Sequence, residues 1–153
     1  MNKIKFFKQN KNAIMPTRAD RGSAGWDLCA CIVEAIEIGS GCTTLIPTGL
    51  NVCLPENWEM QIRPRSGLAA KNSVAVLNSP GTVDESFSKL GRDEIKVILH
   101  NHSTIPFVVT HGMRIAQAVF NKLDIVEIEE ITDEKDWPEY IHDRKGGFGS
   151  TGL

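Results

Sequence analysis

Five short stretches of this 153-residue chain hold the side chains that can do chemistry. In "QIRPRSGLAAK", Arg65 offers a fork-shaped cation and Ser66 a hydroxyl, and the backbone N–H groups of Ser66 and Gly67 form a nest suited to phosphate oxygens. "NSPGTVDESFSKLGRDEIKVIL" sets Asn78 before a Ser79-Pro80-Gly81 turn and Asp84 after it. An asparagine can read an amide edge, and an aspartate can hold or deprotonate a water. Phe87 follows with a flat face for a sugar or base. "SAGWDLCA" puts Asp27 in strand-like sequence, where an inward carboxylate needs an arginine or a metal-bound water as partner. "HGMRIAQAVF" embeds Arg114 and Gln117 among apolar residues, one suited to a carboxylate and the other to an anion. The last stretch, "DRKGGFGSTGL", combines a basic pair, glycines, Phe148, Ser150 and Thr151. The first four stretches also have a plainer reading. Ser66 caps a helix beside a surface arginine, Asp84 caps a turn while Phe87 fills the core, Asp27 faces solvent, and Arg114 and Gln117 sit on an edge strand.

The elements that must position these residues read as β-structure. Short runs recur: "IKFF", "WDLCACIV", "TTLIPTGLNVCL", "WEMQIRP", "VAVLN", "EIKVILHN", "FVVT", "IAQAVFNKL" and "IVEIEEI". Turn residues such as Gly39-Ser40-Gly41, Pro55-Glu56-Asn57 and His111-Gly112 punctuate them, the pattern of an all-β sandwich or barrel. In "EIKVILHN", Ile95, Val97 and Leu99 point one way and Lys96, Ile98 and His100 the other, as in a sheet with one face partly buried. One short helix is expected from Ser66, in "SGLAAKN". From Asp133 onward the chain turns polar and glycine-rich, which divides it into a body over 1–132 and an arm over 133–153.

Composition narrows the function. Seventeen basic and nineteen acidic residues give a formal charge of -2, which supplies no basic field for a nucleic-acid polymer. Any anionic partner is therefore expected to be small and held locally. No apolar stretch opens the chain or approaches membrane-spanning length, and an intracellular, cytoplasmic protein with no membrane partner is expected. Cys29, Cys31, Cys42 and Cys53 show no CxxC spacing and read as reduced, partly buried thiols. His100 and His102 make an HxH pair with no third metal ligand set by spacing, and read as a strand-end polar pair. The phosphate-loop, HExxH, GxSxG and zinc-deaminase signatures are all absent.

In this order, "SAGWDL", "RPRSGLAAK", "NSPGTVD", "RIAQAVF" and "GGFGSTG" resemble the five motifs of the trimeric dUTP pyrophosphatase (dUTPase) family. The resemblance runs over nearly the whole chain, and "PRSGLA" with "GGFGSTG" is its most specific part. It implies a jelly-roll-like β fold with a glycine-rich C-terminal arm, assembled as a homotrimer with active sites shared between subunits. The reaction implied is Mg²⁺-assisted hydrolysis of dUTP to dUMP and pyrophosphate, which keeps uracil out of DNA and supplies dUMP for thymidylate synthesis. Asp84 matches the aspartate that activates a water for attack on the α-phosphorus. Asn78, Gly81, Thr82 and Val83 match the uracil-reading hairpin. Arg65, Ser66, Gly67 and Gln117 match phosphate contacts, and Lys96 a substrate contact after the hairpin. Asp27 matches the residue that reaches Mg²⁺ through water, with Arg114 as its ion-pair partner. Phe148 would stack on uracil, while Arg144, Gly149, Ser150 and Thr151 would close over the phosphates.

Three departures from the family pattern stand out. Where the third motif runs D-x-x-Y-R-G-E, this chain has "DESFSKLGRDE", so Phe87 replaces the tyrosine and Ser88 to Gly91 are inserted before Arg92-Asp93-Glu94. Arg144 stands four residues before Phe148 instead of five, which leaves Lys145 as its rival for the γ-phosphate. Two other functions fit the same scaffold: a dCTP deaminase, disfavoured by "RSGLAAK", and a nucleotide-binding regulator without catalysis.

Overall fold

The computed structural model describes residues 3–89 and 93–138, so the expectations for Arg92, Arg144, Lys145, Phe148, Gly149, Ser150 and Thr151 lie outside the described residues. Strands β1 (Lys5–Lys8), β2 (Trp26–Cys29), β3 (Ile36–Ile38), β4 (Thr43–Pro47), β5 (Leu50–Cys53) and β6 (Trp58–Arg63) precede helix α1 (Ser66–Asn72). Then come β7 (Val74–Val76), β8 (Gly81–Val83), helix α2 (Glu85–Lys89), β9 (Lys96–Asn101), β10 (Phe107–Val109) and β11 (Arg114–Lys122). A 3₁₀ turn at Glu134–Asp136 closes the described chain. All pairings are antiparallel, in a four-stranded sheet ordered β2-β11-β6-β8, a three-stranded sheet ordered β4-β9-β7, and the ribbons β1-β5 and β3-β10. This is the all-β sandwich that the strand runs imply, of the jelly-roll type that the family resemblance implies.

Alternation sets the core. Ile95, Val97 and Leu99 are buried, while Lys96 on the opposite face is exposed. They pack with Leu28, Ile38, Ile46, Leu50, Met60 and Ile115, each contributing about 1.5–3 kcal/mol by full burial. Asn101 is fully buried but satisfied: its amide donates to the Ile38 and Ile105 carbonyls, and its oxygen accepts from Ser103. Cys29 and Cys31 are buried, Cys42 and Cys53 exposed, and all four are free thiols. Burial pushes both buried thiols up, which suppresses thiolate chemistry.

Four sequence expectations need correction. The run "TTLIPTGLNVCL" is two strands, broken at Gly49, whose φ of 69° favours glycine. There are two α-helices among the described residues, because Asp84 caps α2 in the stretch read as a turn. Ser66 does not cap α1: the N-cap position is Arg65, whose side chain turns away to an ion pair. "IVEIEEI" alternates like a strand yet has no ladder partner among the described residues, and Ile125 and Ile128 are 79% and 98% exposed. Strands β3 and β8, of three residues each, were not among the runs read as β-structure, unlike the equally short β7 and β10.

Candidate active site

The site residues fall into two cavities. The first, about 340 Å³, is lined by Ala19, Ser23, Ala24, Gly25, Asp27, Arg65, Ser66, Gly67 and Gln117. Sheet register builds it: Asp27 of β2 lies opposite Gln117 of β11, and Gln117 lies opposite Arg63, two residues before Arg65. Asp27 is held on both oxygens. Arg65 Nε donates to Oδ1 at 2.7 Å and Arg114 Nη1 to Oδ2 at 3.2 Å. A register shift between Arg114 and Ala116 accompanies this reach, as bulges commonly re-aim a side chain. The Asp27 N–H donates to the Thr17 carbonyl at 2.7 Å, and the carboxylate is only 14% exposed, so the solvent-facing reading fails.

Arg65 is the stronger partner, because Arg114 is 56% exposed and its pair is screened by solvent. Arg65 also donates from Nη1 to the Arg114 carbonyl at 3.4 Å, and its Nη2 makes no hydrogen bond among the described residues. Gln117 is pinned by donating to the Pro64 carbonyl at 2.9 Å. Gly25 makes room for it: a Cβ there would lie 2.0 Å from Gln117 Oε1 and 3.2 Å from its Cβ. Gly25, Ala19, Ser23 and Ala24 were not singled out from sequence; the run of small residues before Trp26 was the available signal.

The second cavity, about 370 Å³, is lined by Leu45, Ile62, Asn78, Gly81, Thr82, Val83, Phe87, Asp93, Glu94, Ile95, Lys96 and Ile98. Its wall β8 is an edge strand among the described residues, so one row of its backbone donors and acceptors has no sheet partner there and can meet an amide edge. Gly81 lies close under Asn78, with 3.2 Å from its would-be Cβ to Nδ2.

Beyond the insertion the chain is fastened back to β4 and β5. Thr48 Oγ1 donates to the Ile95 carbonyl at 2.7 Å, Gly49 N–H to Glu94 Oε1 at 2.6 Å, and Asn51 Nδ2 to the Asp93 carbonyl. Gln9 Nε2 in turn donates to Asn51 Oδ1 at 2.6 Å. These bonds hold the strand that presents Lys96.

Asp84 stands between Val83 and Phe87 at the start of α2. Its Oδ1 accepts from the Ser86 hydroxyl at 2.6 Å, the Ser86 N–H at 3.0 Å and the Phe87 N–H at 3.1 Å. These bonds, the Ser86 hydroxyl first, hold its carboxyl below the usual carboxylate range. Capping and cavity roles are thus compatible: Asp84 caps the helix, and partly buried Phe87 packs on the core while lining the cavity.

The fold therefore joins Asp27, Arg65, Ser66, Gly67, Gln117 and Arg114 in one place. It joins Asn78, Gly81, Thr82, Val83, Phe87 and Lys96 in another, beside Asp84. No residue lines both cavities. Among the described residues no three His, Cys, Asp or Glu side chains cluster to cage a metal, and Asp27 already carries two guanidinium groups. That donor set builds no protein cage for a metal.

A jelly-roll sandwich with an arginine-and-serine cavity and a separate edge-strand cavity defines a class of β protein suited to a small, polyanionic ligand. The family model of the dUTPases matches residues 11–152, and the chain belongs to the dUTPase family. It is 48% identical over 151 residues to the deoxyuridine 5'-triphosphate nucleotidohydrolase of Gloeothece citriformis, covering 99% of this chain and 97% of that protein. It is 45% identical over 153 residues to the enzyme of the same name from Clostridioides difficile, covering 100% of both. Its fold is similar to that of the dUTPase of Staphylococcus bacteriophage 80alpha solved with dUpNHpp, with a TM-score of 0.79, 20% identity and full coverage of both chains.

Proposed function

We propose that the protein is a dUTP diphosphatase that splits dUTP into dUMP and pyrophosphate at sites shared between subunits of a homotrimer. Family membership supports the reaction. The observation that carries the shared site is that the two cavities share no lining residue: the edge strand, with Asp84 directly after it, lines one, and Arg65, Ser66 and Gln117 line the other. A neighbouring subunit brings them together in this reading.

Uracil pairs with the free edge of β8 and with Asn78, and the close wall leaves no room for a 5-methyl group. Phe87 packs on the deoxyribose and excludes a 2′-OH by bulk, since it lacks the hydroxyl of the family's tyrosine. Lys96 makes a further substrate contact. Asp84 holds the attacking water and the 3′-OH. Its low basicity suits orientation of the water more than outright deprotonation. Arg65 Nη2, Ser66, Gly67 and Gln117 receive charge developing on the phosphate oxygens. The arm residues Arg144, Phe148, Gly149, Ser150 and Thr151 belong to the closure over uracil and the phosphates. Asp27 would hold Mg²⁺ through water, with Arg114 keeping it in place. When bound, the ion neutralises charge on the triphosphate.

Pyrophosphate release from dUTP, UTP, dTTP and dCTP, with ammonia release followed for dCTP, tests this. dUTP alone should turn over. Asp84→Asn should retain nucleotide binding and lose about 10²–10⁴-fold in kcat. Comparable rates for UTP defeat the steric role of Phe87, ammonia from dCTP points to a deaminase, and full activity in Asp84→Asn overturns the mechanism.

A further inference from the structure

We propose that Ser86 is a positioning residue for Asp84, fixing one carboxylate oxygen so that the other is left to hold the attacking water. The inference rests on the catalytic reading of Asp84 above. All three hydrogen bonds to the Asp84 side chain end on Oδ1, two of them from Ser86, and none reaches Oδ2 among the described residues. Any residue but proline at position 86 supplies the backbone donor, whereas the serine hydroxyl adds the short bond at 2.6 Å. That bond closes one rotamer of the carboxylate against α2. Because the Phe87 N–H shares the same oxygen, it also ties the water-holding group to the sugar-facing ring.

A hydrogen bond to a charged group is among the stronger ones, so its loss is readable. The charged groups nearby are Glu85 on the same helix and Asp93, Glu94 and Lys96 lining the adjoining cavity. β5, against which α2 packs, carries no charge. The depressed basicity of Asp84 traces first to the Ser86 hydroxyl, not to any of these charges.

The test uses the full-length enzyme and its Ser86→Ala, Ser86→Thr and Asp84→Asn variants. Two quantities are read: kcat and KM for dUTP, and the carboxyl carbon resonance of Asp84 titrated by NMR and assigned by its absence in Asp84→Asn. Ser86→Ala should lower kcat on the order of tenfold with KM nearly unchanged and move the Asp84 titration to higher pH; Ser86→Thr should restore both. If Asp84→Asn is inactive but Ser86→Ala keeps wild-type kcat and titration, the inference alone is overturned. A loss of kcat without a titration shift, or one that threonine does not restore, marks scaffold damage and overturns it too. An active Asp84→Asn removes the catalytic reading and this inference with it.

Discussion

Asp84 illustrates how one side chain can serve structure and chemistry through separate oxygens. Its carboxyl is held below its usual value of 3.8, so folding favours the ionised form. A group shifted this way contributes stability above its unfolded pKa and loses it as pH falls through the folded pKa. Acid unfolding should therefore be steeper in the wild type than in Asp84→Asn, where asparagine still caps α2 without titrating. Midpoints measured by circular dichroism across the acid range check this; identical profiles would deny the linkage. Gly25 is the second telling residue. Its missing Cβ is the space that Gln117 occupies, with 2.0 Å to Oε1 and 2.9 Å to Cδ. Gly25→Ala should displace the Gln117 amide, destabilise the fold by about 1–3 kcal/mol, and weaken turnover of dUTP beyond that of a surface substitution. Steady-state kinetics and a denaturant melt of the same variant separate the two effects.

At the scale of elements, the turn from β4 to β5 does the most to position the second cavity. Gly49 donates to Glu94, accepts from Gln9 and Asn10, and would place a Cβ 2.9 Å from both Ala13 Cβ and Cys31 Sγ. Gly49→Ala, at a φ of 69°, should destabilise by about 1–3 kcal/mol, read as a lower denaturant midpoint with an unchanged slope. Much of this layer was legible beforehand, for a physical reason. Strands such as β9 and β11 bury one face, so their alternation is written in residue type. The grouping of Asp27 with Arg114 was implied by the family resemblance, and the pairing of β2 with β11 supplies its physical reason. What stayed hidden depends on partners distant in sequence. Arg65 as the tighter partner of Asp27, the Gln9–Asn51–Asp93 chain, and the Gly25–Gln117 contact all join residues whose proximity the fold alone creates. α2 was missed because five residues carry no period, and its only signal was the cap donated by the residue read as catalytic.

At the scale of the molecule, two features accord with the proposed shared site: cavities that share no lining residue, and an alternating apolar segment around Ile125 and Ile128 without a strand partner among the described residues. No helix among the described residues is long and apolar enough to cross a membrane, so a membrane-spanning helix does not account for that apolar face. The measurement that bears most directly on the central claim mixes two inactive variants, Asp84→Asn and Arg65→Ala, by unfolding and refolding them together in equal amounts and assaying pyrophosphate release from dUTP. If each site takes Asp84 from one subunit and Arg65 from another, random assembly should restore about a quarter of wild-type activity. Refolded mixtures no more active than either parent, with oligomers confirmed by sedimentation, would place both residues in a site within one chain and contradict the account.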